Sequence, residues 1–115
     1  TMVYKIANEI NYKKIIIPQR IIDRAPSAEL KENQIDEDSL PAYEILDKII
    51  DLHIEKNYSE KELIKFGFST KLVKKVVNLI KINEFKRRQS APGPKITSKA
   101  FGKDRRYPIT NKFRL

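Results

Sequence analysis

Behind Ser69, the residues Leu72, Val73, Val76, Val77 and Ile80 recur three and four positions apart, and that stripe constrains the fold more than any other feature. Such spacing puts the side chains on one face of an α-helix, and an apolar face of that width has to be covered by other chain. Ser69 is a ready N-cap, and the helix is predicted to run to about Phe85. Just upstream, Ser59 with Glu62 forms a capping box; it opens a short helix carrying Leu63, Ile64 and Phe66, which Gly67 ends. Asp38 or Ser39 as N-cap, with Pro41 in the first turn, predicts another helix from Leu40 to about Lys56. Its apolar face holds Tyr43, Leu46, Ile49, Ile50 and Ile54. Leu46, Ile50, Leu72, Val76 and Ile80 are the expected core. Met2, Val3, Ile6, Ala7 and Ile10 predict an amphipathic helix over 2–12. The run Ile15–Ile17, stopped by Pro18, is too short to establish a strand. The chain therefore reads as mainly α.

Two stretches escape that pattern. Residues 27–39 hold five acids (Glu29, Glu32, Asp36, Glu37, Asp38) against one lysine. Those carboxylates read either as a solvated loop or as oxygen ligands for a magnesium ion. Residues 86–115 hold ten Lys or Arg and one acid, a net of 10 − 1 = +9, which is the formal charge of the entire chain. The same segment contains Pro92 and Pro94 flanking Gly93, which oppose a helix. It also keeps Ile96, Phe101, Tyr107, Ile109 and Phe113 as possible anchors. It reads as an extended basic arm that contacts phosphates or as a disordered basic tail. Loop 26–38 and much of 87–112 are expected to make few buried contacts of their own and, in the isolated chain, to be mobile or held by neighbouring copies.

Composition excludes several chemistries. With no cysteine there is no thiol nucleophile, disulfide framework or cysteine-ligated zinc. The single histidine, His53, lies beside the apolar stripe of the 40–56 helix. It reads as a structural residue, because a general base needs a partner that the sequence does not offer. No apolar run approaches the ~20 residues that span a bilayer, and no signal peptide opens the chain, so a cytoplasmic protein is expected. At 115 residues the chain is one domain or a piece of one, and its start at Thr1 without methionine suggests a piece. Ser59–Ile80 can also be drawn as a helix-turn-helix with Lys71, Lys74, Lys75 and Lys81 outward. With the arm behind it, a basic helical nucleic-acid-binding module stands as the alternative reading.

Two blocks carry a resemblance. Pro18–Leu30, continuing through Asp36–Pro41 and Tyr43, is similar to a signature of glutamine-dependent NAD synthetases. So are Phe85–Gln89, Pro92–Lys95, Phe101, Gly102, Asp104–Ile109, Thr110 and Phe113, in the same order. The resemblance covers essentially the whole chain. It implies a ligase that adenylylates deamido-NAD with ATP and magnesium and then lets ammonia displace AMP. It further implies an α/β adenine-nucleotide alpha-hydrolase-like (N-type ATP pyrophosphatase) domain, of which residues 1–115 would be the helical C-terminal portion, with 86–115 its basic arm. The family's Ser-Gly-Gly-x-Asp-Ser phosphate loop is absent from this chain, as is the ammonia-releasing glutaminase domain with its cysteine. The chain alone is therefore expected to be inactive and to hold no cofactor.

The resemblance also assigns residues. Lys86 falls on a lysine that contacts deamido-NAD, and Phe85 stands where ammonia-dependent relatives have histidine. Ser27 falls where the family places a hydroxyl near ATP. Glu29, Arg105 and Arg106 lie in active-site segments. The implied partners are deamido-NAD, ATP and glutamine-derived ammonia, in a homo-oligomeric full-length enzyme with no membrane or nucleic-acid partner.

Overall fold

A computed structural model describes residues 1–27 and 30–110. Among the described residues it is helical without strands, and the chain divides into two compact units, Thr1–Asp47 and Lys48–Leu115. Among the described residues, every fully buried side chain belongs to the second unit.

In the first unit, α1 (Met2–Ile10) is amphipathic, as the spacing predicts, but none of its residues is buried. Asn11 organises the exit from α1: its Oδ1 accepts from the Ile16 and Ile17 amides and its Nδ2 donates to the Ile17 carbonyl. The Ile15–Ile17 run is thereby tied to Asn11 as irregular chain rather than as a strand. A short α2 (Gln19–Asp23) follows Pro18. The acidic stretch closes with a single 3₁₀ turn at Asp36–Asp38.

The helix expected from Leu40 begins instead as α3 (Tyr43–Ile50), with the Ile45 and Leu46 amides bonded to Ala42. Pro41 explains the delay. A residue before proline is pushed out of helical geometry, so Leu40 ends the preceding turn, its amide bonded to the Asp36 carbonyl.

The helix also fails to continue regularly to Lys56. It widens into one π turn at Asp51–Glu55, with the Lys56 amide bonded to the Asp51 carbonyl, and stops at Asn57, whose φ is 60°. The π turn buries Leu52, His53 and Ile54 together. Regular α periodicity would have rotated one of those three consecutive residues outward.

The capped helices stand where the sequence puts them. Ser59 caps α4 (Glu60–Lys65) in a reciprocal box with Glu62, and Gly67 at φ 116° ends it. Only Leu63 of that helix is buried; Ile64 and Phe66 face outward, Phe66 stacking on Phe68. Ser69 caps α5 (Thr70–Ile82), whose buried stripe is Val73, Val76, Val77 and Ile80. Ile49, rather than its expected neighbours Leu46 and Ile50, is the buried residue of α3, and Leu72 is half-buried. The core is the α4–α5 pair closed by the π turn.

The helix predicted from 69 to 85 is broken at Asn83. Its side-chain amide donates to the Leu79 carbonyl at 2.9 Å, capping α5, and α6 (Glu84–Arg88) starts immediately after it. The start of the basic arm is thus helical.

Candidate site at the α5–α6 corner and the arm

Glu84 is the unexpected feature of this corner, a carboxylate only 1% exposed in a strongly basic neighbourhood. Burial alone would raise its pKa. The Arg87 guanidinium at 2.8 Å, the Tyr107 backbone amide and Arg88 Nε at 3.3 Å outweigh burial and hold it below the ordinary value. Arg87 also donates to the Ile80 carbonyl at the end of α5 and lies 5.0 Å over the Phe101 ring. Arg88 donates to the Tyr107 carbonyl at 3.2 Å.

Between these pinned residues, Phe85 and Lys86 are exposed. In the described part of the arm, Lys86 and Arg106 are exposed cations with no side-chain partner among the described residues. The other arm cations described are committed locally. Lys95 pairs with Asp104 at 2.7 Å, Lys99 donates to Asn57 at 2.7 Å, and Lys103 reaches the Gly93 carbonyl at 3.3 Å.

Arg105 is turned inward. Its guanidinium donates to the His53 carbonyl and lies 5.5 Å from the Tyr107 ring. His53 completes this knot. The Tyr58 carbonyl, 2.7 Å from Nδ1, can only accept, so Nδ1 carries the proton. Nε2 is then free to accept from the Tyr107 hydroxyl at 3.3 Å. Burial lowers the His53 pKa, opposed by the Tyr58 bond and reinforced by Arg105. The ring is a neutral tie between the arm and the core, matching its structural reading from sequence. The arm is therefore better anchored than its composition implies. Gly102 is buried against Arg87 with φ 87°, and Ser98 donates to Glu55 at 2.7 Å.

The remaining assigned residues lie in the first unit or outside the description. Ser27 is half-buried in an open cleft of about 540 Å³ that Arg24, Lys31, Asn33 and Gln34 also line. Two cations, two amides and a hydroxyl are the donor set a polyphosphate would need. Glu29 lies outside the described residues. Two of the described loop acids turn to local partners: Asp38 accepts from the Ile35 amide at 3.0 Å, and Asp36 from the Tyr43 hydroxyl at 2.6 Å. The Asp36 bond, with burial, pushes the Tyr43 pKa up to about 12. No cluster of three or more metal-ligating side chains occurs among the described residues. None of their helices is long and apolar enough to cross a membrane.

The sequence does not single out Glu84, because it looks like one acid opening a basic run. Its signal was the spacing to Arg87 and Arg88, three and four residues on, which a helix converts into two ion pairs.

Comparison with known proteins gives one answer. Glutamine-dependent NAD(+) synthetase from Aquifex aeolicus is 53% identical over 113 residues, covering 98% of this chain and 20% of its own length. The enzyme of the same name from Acinetobacter baylyi is 48% identical, covering 99% of this chain and 21% of its own length. A solved glutamine-dependent NAD+ synthetase from Acinetobacter baumannii, in complex with ADP, aligns with a TM-score of 0.59 at 40% identity. That alignment covers 95% of this chain and 18% of the solved one. The chain thus spans about a fifth of the length of the relatives it matches. The family model for NAD synthase matches residues 1–90, and with these relatives it establishes that the chain belongs to the NAD synthase family.

Proposed function

We propose that this chain is the C-terminal portion of the ATP-pyrophosphatase-like α/β domain of a glutamine-dependent NAD synthetase. That enzyme amidates deamido-NAD to NAD with ATP, magnesium and ammonia drawn from glutamine in a separate domain. The observation that carries the reading is the α5–α6 corner, where an exposed aromatic–cation pair is held by a pinned short helix while neighbouring cations are internally engaged. Lys86 is the group offered to deamido-NAD, through a phosphate or the nicotinate carboxylate, and Phe85 packs beside it.

Ser27, with Arg24 and Lys31, forms the part of this chain suited to ATP. ATP supplies the adenylyl group that activates the acid; these side chains orient its phosphates and offset their charge. Arg106 is available as a further outward cation, whereas Arg105 serves the arm's own anchorage. The helical surface of α5 offers lysines that suit phosphates and only Asn78 for a base edge. Family membership favours the synthetase over the nucleic-acid module.

The test is Lys86→Ala in the intact enzyme, titrating deamido-NAD at saturating ATP. A charge-assisted contact is typically worth ~1.5–3 kcal/mol, so the variant should bind deamido-NAD roughly ten- to a hundredfold more weakly. Glutamine hydrolysis measured alone should survive. A Michaelis constant and turnover within about twofold of wild type would overturn the assignment.

A further inference from the structure

We propose that Glu84 is a positioning residue for substrate recognition: its buried carboxylate fixes the direction in which Phe85 and Lys86 project. The proposal rests on the reading of Lys86 as the deamido-NAD contact and goes a step beyond it. A five-residue helix such as α6 has little stability of its own, and a carboxylate 1% exposed is costly unless fully partnered. Here Arg87, Arg88 and the Tyr107 amide all bind the one side chain and offset that cost. Both residues that follow Lys86 are thereby anchored. Arg87 goes to the end of α5 and over Phe101, and Arg88 to the returning arm at Tyr107.

The same carboxylate is shared by the two guanidiniums that follow Lys86 and offsets one of their two charges. Removing its charge would loosen α6 and leave two unpaired cations to compete for the substrate's anionic groups. The effect should therefore fall on deamido-NAD and pass through Lys86.

The experiment is a double-mutant cycle in the intact enzyme with Glu84→Gln, which keeps the size and removes the charge, and Lys86→Ala. Glu84→Gln should raise the deamido-NAD Michaelis constant about tenfold while that for ATP stays within twofold. In the Lys86→Ala background the same change should add less than about threefold, because the two residues act as one unit. A merely structural role would lower the active fraction and leave the Michaelis constant where it was. That result, or two effects that simply multiply, would overturn the proposal.

Should Glu84→Gln fail to fold, Arg88→Met decides, since Arg88 is partly exposed and joins the corner to Tyr107. It should raise the same constant severalfold with the same non-additivity, and an unchanged constant overturns the proposal. A wild-type enzyme that forms no NAD would refute the functional reading itself. Active wild type with an unaffected Glu84→Gln refutes only the positioning role.

Discussion

Placing an acid at Val76 probes the core most directly. Val76 is 0% exposed, on the α5 stripe with Val73, Val77 and Ile80, and α5 packs on α4, whose buried residue is Leu63. Val76→Asp removes apolar groups worth roughly 1.6 kcal/mol at ~0.8 kcal/mol per carbon. The new carboxyl has no partner on that stripe, so it must be protonated to remain inside. Raising its pKa by about three units costs about 4 kcal/mol at pH 7, at 1.36 kcal/mol per unit. The sum, about 5–6 kcal/mol, equals the low end of what holds small domains together.

The variant should therefore be largely unfolded at pH 7. Because folding raises this carboxyl's pKa, the folded state binds more protons, and the difference from wild type should shrink as pH falls toward 5. Val76→Ala, which loses apolar contact only, should cost about 2 kcal/mol and show no such pH dependence. Urea unfolding followed by far-UV circular dichroism at both pH values measures each variant. A Val76→Asp protein within about 0.5 kcal/mol of wild type at pH 7, the scatter of an ordinary surface change, would refute the placement of the stripe.

Gly102→Ala forces a side chain into φ +87° and sets its Cβ 3.3 Å from Arg87 Cβ; a loss of about 1–2 kcal/mol in urea unfolding is expected, and an unchanged midpoint would contradict the turn. Tyr107→Phe leaves His53 Nε2 without its donor and should cost about 1–3 kcal/mol by the same assay. Folding lowers the His53 pKa from its ordinary 6.5, so the unfolded chain binds more protons just below that value. Stability should fall as pH drops through the window under 6.5, and His53→Gln should flatten that slope in a urea series from pH 7.5 to 5. The chain by itself, given ATP, deamido-NAD and ammonia, should form no NAD detectable by a coupled dehydrogenase assay, since its sequence lacks the phosphate-gripping loop.

Where capping chemistry is local, the sequence was enough. Ser59 with Glu62, Ser69, and Gly67 at positive φ mark helix ends within a residue of those observed, because each acts on backbone groups a few positions away. Periodicity failed where geometry departs from 3.6 residues per turn. The π turn at Asp51–Glu55 buries three consecutive residues, an arrangement no helical pattern encodes. Asn83 shows a different limit. Its side chain takes the Leu79 carbonyl, a competition with the helix that asparagine offers at many positions and wins only where the chain needs to turn.

The candidate site was legible by type and hidden in detail for one physical reason. Excess positive charge in the arm is a sum, and a sum does not say which cations have internal partners. Arg87 and Arg88 depend on whether Glu84 is helical with them, a local fact that the spacing could have suggested. Arg105 and Tyr107 depend on His53, more than fifty residues earlier, and no local pattern connects them. Once those ties are drawn, the arm's charge separates into cations that hold the fold and cations that face outward. Phe85 and Lys86 face outward between a buried Glu84 and an Arg87 tied back to the end of α5. Recognition at this corner should accordingly be as sensitive to the buried acid as to the exposed base, which neither residue's chemistry would suggest alone.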